Sequence, residues 1–163
     1  MSKLQSDIEI REVTDAAGYA LAGQLFREYA ATLHFDLHFQ DFEEELLHLK
    51  EHYGPPKGCI LLVFAAGEPA GCIAIRPFSE TQAELKRMFV RPAFRGQSIG
   101  RKLLEAIFTK AADAGYRSIL LDTVPDMQDA IHLYRQMGFA DISPYRFNPI
   151  PGALFMEAVI PQR

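Results

Sequence analysis

The chain has 163 residues, with 17 Lys plus Arg against 21 Asp plus Glu, for a net charge of -4. This length argues for one domain over residues 1–163, and the acidic balance speaks against a general nucleic-acid binder. A hydrophobic fraction of 48% is enough for a sizeable core.

Met1 to Gln5 lack the apolar run of a secretory signal. No stretch is long and apolar enough to span a bilayer, so a cytoplasmic protein with no membrane partner is expected. Ile8, Ile10 and Val13 mark a short alternating strand over Asp7 to Val13, and Thr14 or Asp15 then caps a helix. Ala22, Leu25, Phe26, Tyr29 and Leu33 follow helical spacing along one face. The pattern breaks at His34 to Phe39, and a second helix carries Phe42, Leu46, Leu47 and Leu49. Tyr53 to Gly58 is a loop.

Cys59 to Ala66 is an apolar, β-branched strand, and Ala66-Gly67-Glu68-Pro69 reads as a hairpin turn into a partner strand, Ala70 to Arg76. Cys59 and Cys72 both lie in these runs; buried reduced thiols fit them better than a disulfide or a nucleophile. After a turn at Pro77 to Thr81, Gln82 to Val90 is the next strand. It feeds Arg95-Gly96-Gln97-Ser98-Ile99-Gly100, which opens a helix running to about Ala114 and capped by Gly115. Free backbone N–H groups and the helix dipole make such a start a natural anion site. Arg91, Arg95, Arg101 and Lys102 add positive charge there. Neither the Walker spacing nor the dinucleotide G-x-G-x-x-G is present.

Ser118 to Thr123 is a strand that follows a crossover helix, so it should run parallel to the Gln82–Val90 strand. Asp126 and Asp129 are the expected caps of a last helix ended by Gly138. Phe139 to Ile142 and Leu154 to Ile160 read as strands, with a loop at Tyr145 to Gly152 between them. The order is β-α-α-β-β-β-α-β-α-β-β. The fold class is α/β, a mixed and largely antiparallel sheet with one central parallel pair.

Arg95-Gly96-Gln97-Ser98-Ile99-Gly100 resembles the acetyl-CoA pyrophosphate loop of the GNAT superfamily of N-acetyltransferases, R/Q-x-x-G-x-G/A. Ala130-Ile131-His132-Leu133-Tyr134, continuing to Gly138-Phe139, resembles the family's A-x-x-L-Y-x-x-x-G-F signature. The two motifs and the Met88-Phe89-Val90 strand end cover Glu84 to Phe139. The resemblance implies splayed parallel strands with pantetheine in the gap, contacted by the Met88-Phe89-Val90 backbone. It also implies pyrophosphate on the N–H groups of Arg95, Gly96, Gln97, Ile99 and Gly100, where Ser98 either crowds the phosphate or donates its hydroxyl. Acetyl-CoA is the implied co-substrate, with no metal. Two residues depart from the family. Ser98 replaces the middle glycine, at little cost if its φ is negative. Met127 stands where many relatives have a cofactor-contacting asparagine.

Acetyl transfer to an amine needs a neutral nucleophile and a proton for the leaving thiolate. By resemblance Tyr134 lies near the sulfur as the acid, with packing in an apolar helix stripe as its alternative. Glu84, on one face with Lys86, Met88 and Val90 by strand alternation, is a base or else a solvated carboxylate paired with Lys86 or Arg87. Asp122 and Thr123 end the second parallel strand beside the gap. His34, Asp36, His38, Asp41, Glu43, Glu44 and Glu45 wall the acceptor side by resemblance, or form a solvated helix face. His34 and His38 find no third ligand for a metal, and Asn148 to Gly152 form a rim. The partners expected are acetyl-CoA and an amine acceptor, with a homodimer through the last strand or helix left open. The enzyme reading stands against a non-catalytic acyl-CoA sensor, which would keep the loop but need neither Glu84 nor Tyr134.

Overall fold

The structure is a computed structural model that describes residues 7–37 and 41–161. His38, one of the two histidines considered as metal ligands, lies outside them, as do the first five residues. The elements are β1 (Ile8–Glu12), α1 (Ala16–Ala31), α2 (Phe42–Leu47), α3 (Leu49–Tyr53), β2 (Cys59–Ala65), β3 (Glu68–Pro77), β4 (Gln82–Val90), α4 (Ile99–Asp113), β5 (Ser118–Thr123), α5 (Gln128–Gln136), β6 (Ala140–Asp141) and β7 (Leu154–Val159).

One sheet carries them in the order β1-β2-β3-β4-β5-β7-β6. Every pair is antiparallel except β4 with β5, which the α4 crossover makes parallel. Two apolar cores form, one on each face. Leu61, Val63, Ile73, Ile75 and Leu85 pack against Leu103, Leu104 and Ile107 of α4. The alternate residues Ile60, Leu62, Cys72, Ala74 and Phe89 pack against Ala22, Leu25 and Phe26 of α1 and Tyr53 of α3. Period-two alternation sends each strand into both cores. Among the described residues, no helix is long and apolar enough to cross a membrane.

Local chemistry explains the ends. The Asp15 side chain accepts from Gly18 N at 2.8 Å and caps α1. Ala66 and Gly67 take φ 50° and 82° in the β2–β3 hairpin turn. The expected single second helix is broken at His48, whose backbone leaves the helical region at φ -134° and ψ 46°. Asp126 and Asp129 do not cap α5: Met127 occupies that position and no side chain bonds there.

The strand that feeds the glycine-rich loop is not regular. Ala74 pairs with Lys86 and Cys72 with Phe89, so Arg87 and Met88 together face Ile73. This is a β-bulge, with Arg87 at φ 60°. The extra residue breaks the alternation expected along Glu84, Lys86, Met88 and Val90. Leu85, Met88 and Val90 join the α4 core, while Phe89 joins the other. Glu84 and Lys86, alternating with Leu85, therefore point to the α1–α3 side.

The bulge demands a close approach of β3. A Cβ on Gly71 would stand 2.2 Å from the Phe89 carbonyl oxygen. Gly71→Ala is expected to destabilise the fold by about 1–3 kcal/mol, read as a lower urea midpoint at unchanged slope; an unaltered midpoint would mean that β3 can retreat without loss.

Candidate active site

The β4–β5 ladder stops early. Only Gln82–Ser118, Ala83–Ile119 and Glu84–Leu120 pair, although both strands continue. Arg91 N–H donates to the Ala70 carbonyl at 2.7 Å. Antiparallel alternation then turns the N–H and C=O of Val90 away from β3 and toward the gap. A groove of about 510 Å³ runs from this gap to the start of α4, lined by Met88, Phe89, Val90, Ser98, Gly100 and Ala130 among others. The Val90 carbonyl already accepts from Arg95 Nε, and an amide-bearing arm laid along β4 would offer partners to the other strand groups that face the gap.

At the far end of the groove, neither the Ser98 hydroxyl nor an acidic side chain caps α4, so its leading N–H groups remain for an anion. Gly96 takes φ 87°. Ser98 takes φ 61°, so the condition under which a serine costs little there is not met. The turn requires the left-handed region at that position, and the serine adopts it although glycine would do so without strain. Gly100 is fixed differently: a Cβ there would meet Leu133 of α5 at 3.2 Å.

The nearby cations are mostly engaged within the fold. Arg95 Nε donates to the Val90 carbonyl at 3.0 Å, tying the loop to the end of β4. Arg91 grips Glu28 of α1 at 2.8 and 2.6 Å and the Pro69 carbonyl at 2.9 Å, so it clamps layers together. Arg101 reaches Gln136 of α5 and Met137 just beyond its end. Gln97 is half-buried, its Oε1 without a partner among the described residues.

The other face holds a buried charge cluster. Glu84 is 0% exposed. Its Oε1 accepts from Arg146 Nη2 at 2.7 Å and Arg76 Nε at 3.2 Å, and its Oε2 from the Tyr145 hydroxyl at 2.9 Å. It is therefore buried and not solvated, with Arg146, Arg76 and Tyr145 as hydrogen-bond partners. Burial alone would raise its pKa, but the charges of Lys86, Arg146 and Arg76 outweigh burial and hold it below the usual carboxylate value. Glu45 is likewise buried and bidentate to Arg87 at 2.9 and 2.8 Å, which holds its pKa low against burial. Glu44 binds His48 and His52. These two acids of the presumed acceptor wall are thus already committed. Lys86 is 4% exposed, and burial plus the Arg87 charge press its pKa down to about 8.

Between gap and cluster lies a small cavity of about 60 Å³, lined by Tyr29, Phe35, Lys86, Asp122, Tyr134 and Asn148 among others. Tyr134 is brought to the gap from α5, packed edge-on against Phe139 at 5.6 Å. Burial raises its pKa, so the phenol is a firm proton holder. Asn148 donates to Asp122 Oδ2 at 3.0 Å and places the Tyr145–Gly152 loop over the cavity. Met127 lines both cavity and groove. Cys59 and Cys72 are buried free thiols, and burial pushes Cys59 up to about 12. Among the described residues, no three His, Cys, Asp or Glu side chains are grouped to hold a metal.

The sequence that builds this groove has a match among known families. The Acetyltransferase (GNAT) family matches residues 23–139. The chain belongs to this family. It is an acetyl-CoA-dependent acetyltransferase. An uncharacterized N-acetyltransferase of Schizosaccharomyces pombe is 37% identical over 135 residues, 82% of this chain and 83% of the relative. The fold is similar to that of an acetyltransferase from Streptococcus agalactiae, with a TM-score of 0.75, 24% identity and 94% and 98% of the two chains covered. It is also similar to a GNAT family acetyltransferase from Elizabethkingia anophelis with acetyl-CoA bound, with a TM-score of 0.68, 19% identity and the same 94% and 98%.

Reading the GNAT motifs along the chain misses Arg76, Arg146 and Tyr145, which reach Glu84 across 8, 62 and 61 positions. The one local signal was Glu84-Leu85-Lys86-Arg87 itself, three ionisable residues inside a strand bounded by apolar runs.

Two predictions follow from this geometry. Ser98→Gly should raise stability by about 1 kcal/mol through release of the left-handed strain, which is roughly 2–4 °C in Tm at this size; a fall in Tm would place the benefit of Ser98 in a contact instead. Lys86 is lowered in the fold from 10.5 to about 8, so between those values the unfolded chain binds more protons. Stability contributed by this group therefore rises as pH climbs through that window. The stability of wild type relative to Lys86→Met should increase from pH 7 to 10 in parallel denaturation curves; a constant difference would show that Lys86 does not titrate there.

Proposed function

We propose that the protein transfers the acetyl group of acetyl-CoA to a primary amine of a small molecule or protein, in a cytoplasmic, thiol-preserving compartment. The observation that carries this is the early end of the β4–β5 ladder facing an uncapped α4. Pantetheine lies in the gap against the Met88 and Val90 backbone, with Phe89 holding the strand to the α1 core. The pyrophosphate rests on N–H groups of Gly96, Gln97, Ser98, Ile99 and Gly100, while Arg95 braces the loop and adds charge. A GNAT acetyltransferase of similar fold with acetyl-CoA bound supports this placement.

The thioester supplies an activated acetyl group at the cavity of Lys86, Asp122 and Tyr134. The attacking amine must be neutral, although a lysine-like amine has an ordinary pKa near 10.4. Glu84 is fully buried behind this cavity with both oxygens engaged, so it takes up the proton that the amine loses through an intervening water and not by direct contact. Tyr134, whose burial keeps its proton in place, delivers a proton to the departing thiolate. Holding amine and thioester together supplies a large share of the acceleration, on the order of 7–11 kcal/mol for well-oriented groups.

Acetyl-CoA at a hundred times its dissociation constant should stabilise the fold by about 2.7 kcal/mol, seen as a Tm rise that CoA reproduces and ATP does not; no rise up to millimolar acetyl-CoA would defeat the donor assignment. Tyr134→Phe is expected to cut kcat at least tenfold with acetyl-CoA affinity retained, measured by thiol release. Glu84→Gln should lose most activity at low pH, where the amine is most protonated; a pH-independent loss would remove Glu84 as proton acceptor.

A further inference from the structure

Attack by an amine turns the carbonyl oxygen of a thioester into an oxyanion, and neither Glu84 nor Tyr134 stabilises that charge. The groove that takes pantetheine and the inner cavity share four lining residues, Tyr29, Met88, Met127 and Ala130. Those four form the neck between the two spaces. Tyr134 lines the cavity but not the groove, so a thioester whose sulfur reaches Tyr134 has passed through the neck. Its carbonyl carbon is one bond from the sulfur, at the neck or just inside it. Of the four side chains there, those of Met88, Met127 and Ala130 have no donor, and only Tyr29 carries one. Tyr29 stands near the end of α1, and its ring meets Phe89 of β4 edge-on with centroids 6.1 Å apart. The ring is thus seated on the part of β4 that no longer pairs with β5. Among the described residues, nothing hydrogen-bonds to the Tyr29 hydroxyl, and its oxygen is not sealed off. Burial raises its pKa, the Arg87 charge opposes this and the Asp122 carboxylate adds to it, so the phenol keeps its proton. Tyr134 lies within electrostatic reach, because after burial the charge of Tyr29 is the next influence that raises the Tyr134 pKa.

We infer that Tyr29 is a further catalytic residue, whose hydroxyl donates a hydrogen bond to the thioester carbonyl oxygen and holds the oxyanion that forms there. This rests on the acetyltransferase reading above and deepens it. The amine nitrogen bonds to the carbonyl carbon, and the π pair of C=O moves onto the oxygen, where the Tyr29 O–H meets it. The amine proton leaves toward Glu84 through water. When the pair returns, C=O re-forms, the C–S bond breaks and the thiolate takes the proton of Tyr134. Solvent carries the proton from Glu84 back to Tyr134 between turnovers. Tyr29 keeps its own proton throughout. Its hydrogen bond is strongest while the oxygen bears charge, so it lowers the barrier and does not merely tighten binding. The two phenols thus divide the work: Tyr134 yields a proton, and Tyr29 only shares one.

Acetyl-CoA carrying carbon-13 at the carbonyl is bound to wild type, Tyr29→Phe and Tyr134→Phe, and its stretching band is read from isotope-edited infrared difference spectra. A carbonyl that accepts a hydrogen bond absorbs at lower wavenumber. The band should move down on binding to wild type, stay down in Tyr134→Phe and return in Tyr29→Phe, which keeps the ring against Phe89. Hydroxylamine, small and largely uncharged at neutral pH, then serves as the acceptor. At saturating acetyl-CoA, hydroxamate formation should slow by about a hundredfold in Tyr29→Phe, with the acetyl-CoA Tm rise unchanged. An unshifted band in wild type, a shift that survives Tyr29→Phe, or equal hydroxamate rates in the two proteins overturns the inference while the donor site stands. If Tyr29→Phe fails to fold, 3-fluorotyrosine in place of Tyr29 decides: as a more acidic donor it should enlarge the shift, and an unchanged band overturns the inference. Absence of the acetyl-CoA Tm rise in wild type is instead the failure of the acetyltransferase reading itself, and the role of Tyr29 falls with it.

Discussion

The site depends on a ladder that ends too soon. After Glu84–Leu120, β4 and β5 have no further pairing, although each has residues to spare. Backbone groups without partners are costly unless something satisfies them, so the gap is both a defect and a receptor. The bulge at Arg87 and Met88 bends β4 within the segment where it parts from β5. The same bulge separates the faces: Met88 and Val90 belong to the side of α4, and Glu84 and Lys86 to the side of α1. The groove and the inner cavity meet at this bulge, since Met88 lines both.

The buried charges on the acceptor side are not explained by stability. A buried pair such as Glu45–Arg87 loses most of its Coulomb gain to desolvation, and apolar replacements of like volume often do as well. What such a cluster provides is position. Glu45 fixes Arg87 at the bulge, and Tyr145 with Arg146 fixes the loop after β6 over Glu84. The Asn148–Asp122 bond sets the other end of that loop at the end of β5. Three segments distant in sequence meet beside the end of the β4–β5 ladder, and each is fastened by a charged or amide group.

The order of strands and helices was legible because apolar runs, hairpin residues and the crossover rule act locally. Gln82–Val90 and Ser118–Thr123 have the bounds their composition suggests. The glycine-rich start of α4 and Tyr134 were visible as motifs, and both line the groove or its inner cavity. The face of β4 was misread, because a period of two holds only while no residue is inserted, and Arg87 at φ 60° is not a glycine that would have announced the kink. Ser98 hid its left-handed backbone for the same reason. Arg91 looked like a phosphate ligand from its position, yet Glu28 and Pro69 hold it, and nothing near it in sequence reveals either partner. The acids before β2 suggested an attraction for cations, but folding neutralises Glu45 against an arginine 42 positions away.

The division of apolar packing into two cores has a consequence for how such an enzyme can diverge. The α4 core buttresses the strand end and the uncapped helix start that line the groove. The α1–α3 core lends the inner cavity Phe35 and Leu37, while Leu121 and Tyr134 belong to the α4 core. Exchanges among the α1–α3 residues can therefore reshape one wall of the cavity while the groove keeps its backbone, as a socket keeps its thread when the tool is changed.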